Sequence, residues 1–192
     1  MKVESYPILT FVNSSDWEKW LNANHETAAG VWLRFFKKGS GVVSLVYADA
    51  LEVALCFGWI DSQAKKYDEK SYLQKFTPRR SKSIWSKINT EHIVRLIKEA
   101  KMRPAGLRQV EEAKKDGRWD AAYHSPSRIE LPHDFISKLK ANKKAYDFFK
   151  TLNKSNTYAI AWRLQTAKKP ETKERREAII IEKLEKGEKF HD

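Results

Sequence analysis

A single cysteine, Cys56, stands in a chain of 192 residues, so no internal disulfide framework can form, and a reducing compartment fits best. The run from Leu51 to Ile60 around it is almost continuously apolar, which predicts a buried, inert thiol. Glycine and proline are scarce, seven and six against nine Phe and seven Trp, and that balance excludes extensive disorder or a low-complexity tail. No stretch approaches the roughly twenty apolar residues that cross a bilayer. The start, Met1-Lys-Val-Glu-Ser-Tyr-Pro, lacks the long apolar segment and small-residue cleavage site of a signal peptide, so the cytoplasm is the expected location.

Catalytic signatures are missing too. His25, His92, His124, His133 and His191 show no paired metal spacing, and with one cysteine a structural zinc site has no ligand set. No Cys/His signature surrounds Cys56, and no Gly-x-Ser-x-Gly turn is present. Gly39-Ser-Gly41 is too short for a phosphate loop, and Lys37 and Lys38 precede it instead of following it. No metal and no cofactor is expected.

What is present is positive charge. Lys and Arg number 37 against 25 Asp and Glu, a net +12, which attracts phosphate backbones, anionic membranes or acidic partners over a Debye length of about 8 Å. Solubility alone also accounts for it.

Hydrophobic periodicity predicts an α+β fold, with a small, mainly antiparallel sheet and helices followed by an all-helical bundle. Ile8 to Val12 reads as an edge strand, and Ser15 with Glu18 has the form of a helix capping box before Trp17, Trp20 and Leu21. Val31 to Lys38 has strand composition. Leu45 to Phe57 reads as a central buried helix with Asp49 and Glu52 on one edge and Gly58 at its left-handed exit. Trp59 to Tyr67 and Ser71 to Thr77 form two candidate strands around Asp68-Glu-Lys70. Helices follow from about Glu91 and from Pro104, with Asn89 or Thr90 as a cap for the first. The segment 119–128, with Ser-Pro-Ser at 125–127, is the candidate connection. It separates an α+β domain, 1–128, from a helical module, 129–192, expected to pack on the first. In that module Pro132 opens one helix, Ser155 caps another, and Ile179, Ile180 and Leu184 stripe the last.

The richest stretch for a ligand is the polar face of the Trp59 strand. Strand alternation places Trp59, Asp61, Gln63, Lys65 and Tyr67 together, and Pro78 ends the next strand where Arg79, Arg80 and Trp85 can fold back. Three readings follow. The first is a non-enzymatic binding protein using Trp59, Asp61, Gln63, Arg79, Arg80 and Trp85 on an anionic or amide-bearing small molecule or a protein partner. The second is nucleic-acid binding through the basic segment 60–103, with Tyr67, Tyr72, Phe76 and Trp85 stacking on bases. The third is an enzyme with Asp61 or Glu52 as base, the two carboxylates facing each other across the helix exit. Against all three, the tryptophans can close the seam between sheet and helices while the arginines tie down the loop.

The segments Ala50-Leu-Glu-Val-Ala-Leu-Cys-Phe-Gly-Trp-Ile-Asp-Ser62, Phe76-Thr-Pro-Arg-Arg80, Ile84-Trp-Ser-Lys-Ile-Asn89, Arg103-Pro-Ala-Gly106 and Thr166-Ala-Lys-Lys-Pro-Glu-Thr172 together resemble the YdeI/OmpD-associated family. The helical end from about Glu130 would correspond to its carboxy-terminal module. The resemblance implies a bacterial protein linked to tolerance of antimicrobial peptides or bacteriocins. It implies no reaction and no catalytic residue.

Overall fold

A computed structural model describes residues 6–123 and 130–191. The chain divides into two compact units, Met1–Trp85 with Asn89–Ala121, and Ser86–Ile88 with Ala122–Asp192. Of the connection expected at 119–128, residues 124–128 lie outside the described residues. No helix among the described residues is long and apolar enough to cross a membrane.

The first unit is built on a four-stranded sheet of β1 (Ile8–Leu9), β2 (Val31–Phe36), β3 (Trp59–Lys66) and β4 (Ser71–Pro78) in the order β1-β2-β4-β3. The β1 edge runs parallel to β2, and both other pairings are antiparallel. Alternation in β2 buries Val31, Leu33 and Phe35 on one face, and that face carries α1 (Ser14–Asn24) and α2 (Tyr47–Cys56). Trp17 of α1 meets Phe76 and Trp59 edge-on, with ring centroids 5.9 and 6.3 Å apart, contacts that add to the large area each ring buries. The cap of α1 is Asn13, whose Oδ1 accepts the Asp16 N–H at 3.0 Å. It replaces the expected Ser15 because a cap needs an extended backbone, and Ser15 is already helical.

The central helix α2 buries Ala50, Leu51, Ala54, Leu55 and Cys56. Gly58, at φ +73°, turns the chain left-handed from α2 into β3. A second glycine sets the next contact. On α4 (Pro104–Lys115), a Cβ at Gly106 would come within 2.2 Å of the Cys56 carbonyl oxygen. The Arg103 N–H donates to that same carbonyl at 3.1 Å, so only a glycine lets α4 seat against the end of α2. The preceding helix, α3 (Lys87–Lys98), begins ahead of the expected caps, which places Asn89 and Thr90 inside its first turn.

The second unit holds α5 (His133–Ala141), α6 (Lys143–Phe149), α7 (Lys154–Gln165) and α8 (Pro170–Glu185) around Phe135, Leu139, Ile160, Leu164, Ile180 and Leu184. Asn153, one residue before α7, accepts from the Asn156 N–H and takes the capping role expected of Ser155. Asn156 is itself fully buried. Its Oδ1 accepts from the N–H groups of Phe190 and His191 at 2.8 and 2.9 Å, and its Nδ2 donates to the His191 carbonyl at 3.0 Å. One amide thereby satisfies three backbone groups of the carboxy-terminal segment.

Candidate binding groove

The exit at Gly58 aims Trp59 at the helix-covered face. There it is 1% exposed, lies edge-on to Trp17 and Trp20, and donates from Nε1 to the His25 carbonyl at 3.1 Å. Asp61, two residues on, takes the Tyr47 hydroxyl at 2.7 Å and the Gln74 amide at 3.3 Å. Burial raises its carboxyl above the ordinary range, against the hydrogen bond from Tyr47 and the charge of Arg79. The same burial, with the carboxylate beside it, pushes the Tyr47 hydroxyl up.

The alternation expected along β3 breaks between Asp61 and Ala64. Asp61 stands opposite Phe76, and Ala64 opposite Gln74, so one extra residue is taken up in a bulge. Ala64 and Lys66 then share the face of Asp61, while Lys65, opposite Leu73, is carried to the other face. Gln63 is exposed within the bulge.

Arg79 and Trp85 are brought together, but inside the fold. Arg79 is 7% exposed and Trp85 is 1% exposed. The guanidinium carbon lies 3.6 Å from the Trp85 ring centroid, and Nη2 donates to the Ile84 carbonyl at 2.8 Å. Trp119 packs against Trp85 with ring centroids 5.2 Å apart. Arg80 is exposed, and its N–H donates to the Ser83 hydroxyl. Of the six residues expected to line a site, Trp59, Arg79 and Trp85 thus serve the core and its loop. Of the four rings expected to stack on bases, Phe76 and Trp85 are buried and Tyr72 stacks on Phe35 on the helix-covered face; Tyr67 is 49% exposed.

Glu52 and Asp61 occupy separate neighbourhoods, so they form no facing acid/base pair. Glu52 pairs with Arg95 and lies 3.3 Å from His92 Nδ1. Cys56 is buried, and burial pushes its thiol up to about 11, which keeps it protonated at neutral pH and a poor nucleophile. Among the described residues no three His, Cys, Asp or Glu side chains are placed to hold a metal ion.

A groove of about 480 Å³ opens instead between α1, α2 and the end of α3. Ser14, Ser15 and Glu18 come from α1, while Asp49, Glu52, Val53 and Cys56 come from α2. Leu96, Ala100, Lys101 and Arg103 complete it. Cys56 and Leu96 are its buried members, and the charged side chains stand further out. Arg103 pairs with Glu18, and Lys101 with Glu99 at 2.7 Å; Asp49 has no ion pair among the described residues. The sequence marked this groove only through Asp49 and Glu52, which edge an otherwise apolar helix. Glu18 and Arg103 are joined across 85 positions, a pairing that local pattern does not carry.

Residues 9–109 match the family described as a domain of unknown function (DUF8412), and residues 128–187 match the one described as bacteriocin-protection, YdeI or OmpD-associated. The motifs from Ala50 to Gly106 fall within the first match, and Thr166 to Thr172 within the second. No curated protein and no solved structure matches the chain. Through a match that spans more than half its length the chain belongs to the DUF8412 family, and its carboxy-terminal part belongs to the bacteriocin-protection, YdeI or OmpD-associated family.

Proposed function

We propose that this chain is a binding protein without catalysis, and that the groove between α1, α2 and α3 receives an amphipathic cation. The observation that carries the reading is the grouping of Glu18, Asp49 and Glu52 around a buried apolar base of Cys56 and Leu96. Two of those carboxylates are held by half-exposed arginines. Such pairs are worth about 0–1 kcal/mol, so an incoming ammonium or guanidinium can replace them at small cost. Asp49 is already available. Apolar area buried on the base contributes about 25 cal/mol per Å².

The net +12 does not oppose this, because charges beyond about 8 Å are largely screened at physiological salt. Catalysis is disfavoured by the protonated thiol of Cys56 and by the ion-paired state of Glu52. Recognition is assigned to the groove and not to the Trp59 to Trp85 cluster, whose Arg79 is engaged by Trp85 and the Ile84 carbonyl. A basic, amphipathic peptide segment is the ligand class that links this reading to the bacteriocin-protection description of the carboxy-terminal family.

The test is a titration of isotope-labelled protein with a synthetic peptide of alternating Leu and Lys, followed by amide chemical shifts. Shifts are expected at Ser14, Val53 and Ala100, and Glu18→Gln with Asp49→Asn should weaken binding about tenfold, near 1.4 kcal/mol. A saturating titration that leaves those amides unmoved refutes the reading.

A further inference from the structure

The sheet has a second face, opposite the one that carries α1 and α2. Register assigns it Trp32 opposite Lys75, Arg34 opposite Leu73, and Lys65 opposite Leu73 from the other side. On this face the cations lie over rings. Lys65 Nζ is 4.4 Å from the centroid of Trp32, and Lys75 Nζ is 4.2 Å from that of Tyr6. The Arg34 guanidinium carbon is 4.8 Å from Tyr67 and 4.5 Å from Phe36. Arg34 is also tied to Asp68 at 2.7 Å and to the Ser71 hydroxyl, so it fixes its rings in place. Lys65 and Lys75 have no carboxylate partner among the described residues.

We propose that this face binds single-stranded nucleic acid, with bases stacking on Trp32 and Tyr67 and phosphates drawing Lys65 and Lys75. A lysine resting on a ring near the surface is held only weakly. A base arriving on that ring and a phosphate arriving beside it replace both halves of the contact at once. An acidic protein would use the ammonium groups but leave the rings idle, whereas a duplex keeps its bases stacked internally and cannot offer them. A sheet face with interleaved rings and cations is the chemistry that single strands need. The bulge after Asp61 makes the surface, because it is the extra residue that moves Lys65 onto the face of Trp32. Of the rings in segment 60–103, the fold takes up Tyr72, Phe76 and Trp85 and leaves Tyr67 exposed, and the sheet face adds Trp32 from outside that segment.

The test is fluorescence anisotropy of the full chain with labelled oligothymidylate and oligouridylate of about 12 nucleotides, within the span of one such platform. Both are expected to bind at low salt; preference for one identifies DNA or RNA as the ligand. Log affinity should fall against log salt with a slope of roughly −1.4 for two neutralised phosphates. Lys65→Gln with Lys75→Gln should weaken binding at least about tenfold, and the exposed Tyr67→Leu about fivefold or more. Lys98→Gln with Lys115→Gln, which removes the same charge elsewhere in the unit, should change affinity less than about twofold. Equal loss in the two double variants overturns the proposal, as does a duplex of equal length binding as tightly as the single strand. Absence of binding to either oligonucleotide at low salt overturns it too, including the case where anionic lipid vesicles are bound instead.

Discussion

Asp61 shows how one side chain can be read correctly as polar and placed by the fold in a different role. Its carboxylate ends among Tyr47, Gln74 and the field of Arg79, where burial raises its proton affinity. A folded pKa above the unfolded one means that the native state binds the proton more tightly. The stability this supplies is complete below about pH 3.9, the ordinary aspartate value, and is lost as pH rises through the raised folded value. Asp61→Asn removes the titration and keeps an oxygen for the Tyr47 hydroxyl. Denaturant unfolding of the two proteins across the acid range should therefore show the variant gaining on the parent as pH rises from that point. A difference that stays flat with pH would mean that Asp61 titrates alike in the folded and unfolded chains. Cys56 needed no such correction: apolar neighbours on both sides announced a buried thiol, and burial is what raises it.

At the scale of elements, Gly106 carries the contact between α2 and α4, and two opposing effects decide what an alanine does there. Helix propensity favours Ala over Gly by about 1 kcal/mol. The new Cβ, however, would meet the Cys56 carbonyl oxygen at 2.2 Å and that of Leu55 at 2.9 Å, both of them backbone that cannot rotate away. Overpacking of this kind costs about 1–3 kcal/mol, so Gly106→Ala should lower the urea midpoint with little change in slope. A raised midpoint would mean that α4 does not seat on the end of α2. Much of this level was legible beforehand. Aromatic and branched runs announced β2, β3 and β4, and the apolar run closed by Gly58 announced α2. The bulge in β3 was not legible, because register belongs to a pair of strands and no single strand records it. The caps were missed by two residues at both α1 and α7, since Asn and Ser cap comparably and the choice depends on where the chain leaves extended geometry.

For the whole molecule the governing quantity is its charge, and salt should move two observables in opposite directions. A net +12 repels itself in the compact state. Raising ionic strength from about 0.01 M to about 0.15 M shortens the Debye length from about 30 to about 8 Å. That weakens the distant repulsion more than the ion pairs in contact, such as Arg34 with Asp68 and Lys138 with the buried Glu177. Thermal stability should therefore rise over that interval, and because the ions act by screening, sodium chloride and potassium chloride should act alike. Oligonucleotide affinity on the Trp32 face should fall over the same interval, since each counterion released into a more concentrated bulk gains less entropy. A calorimetric midpoint that instead falls with added salt would show that the contact pairs outweigh the net charge. That outcome would leave the sheet-face proposal standing, because its slope is set by Lys65 and Lys75 alone. The two measurements together separate charge that holds the fold from charge that is free to hold a ligand.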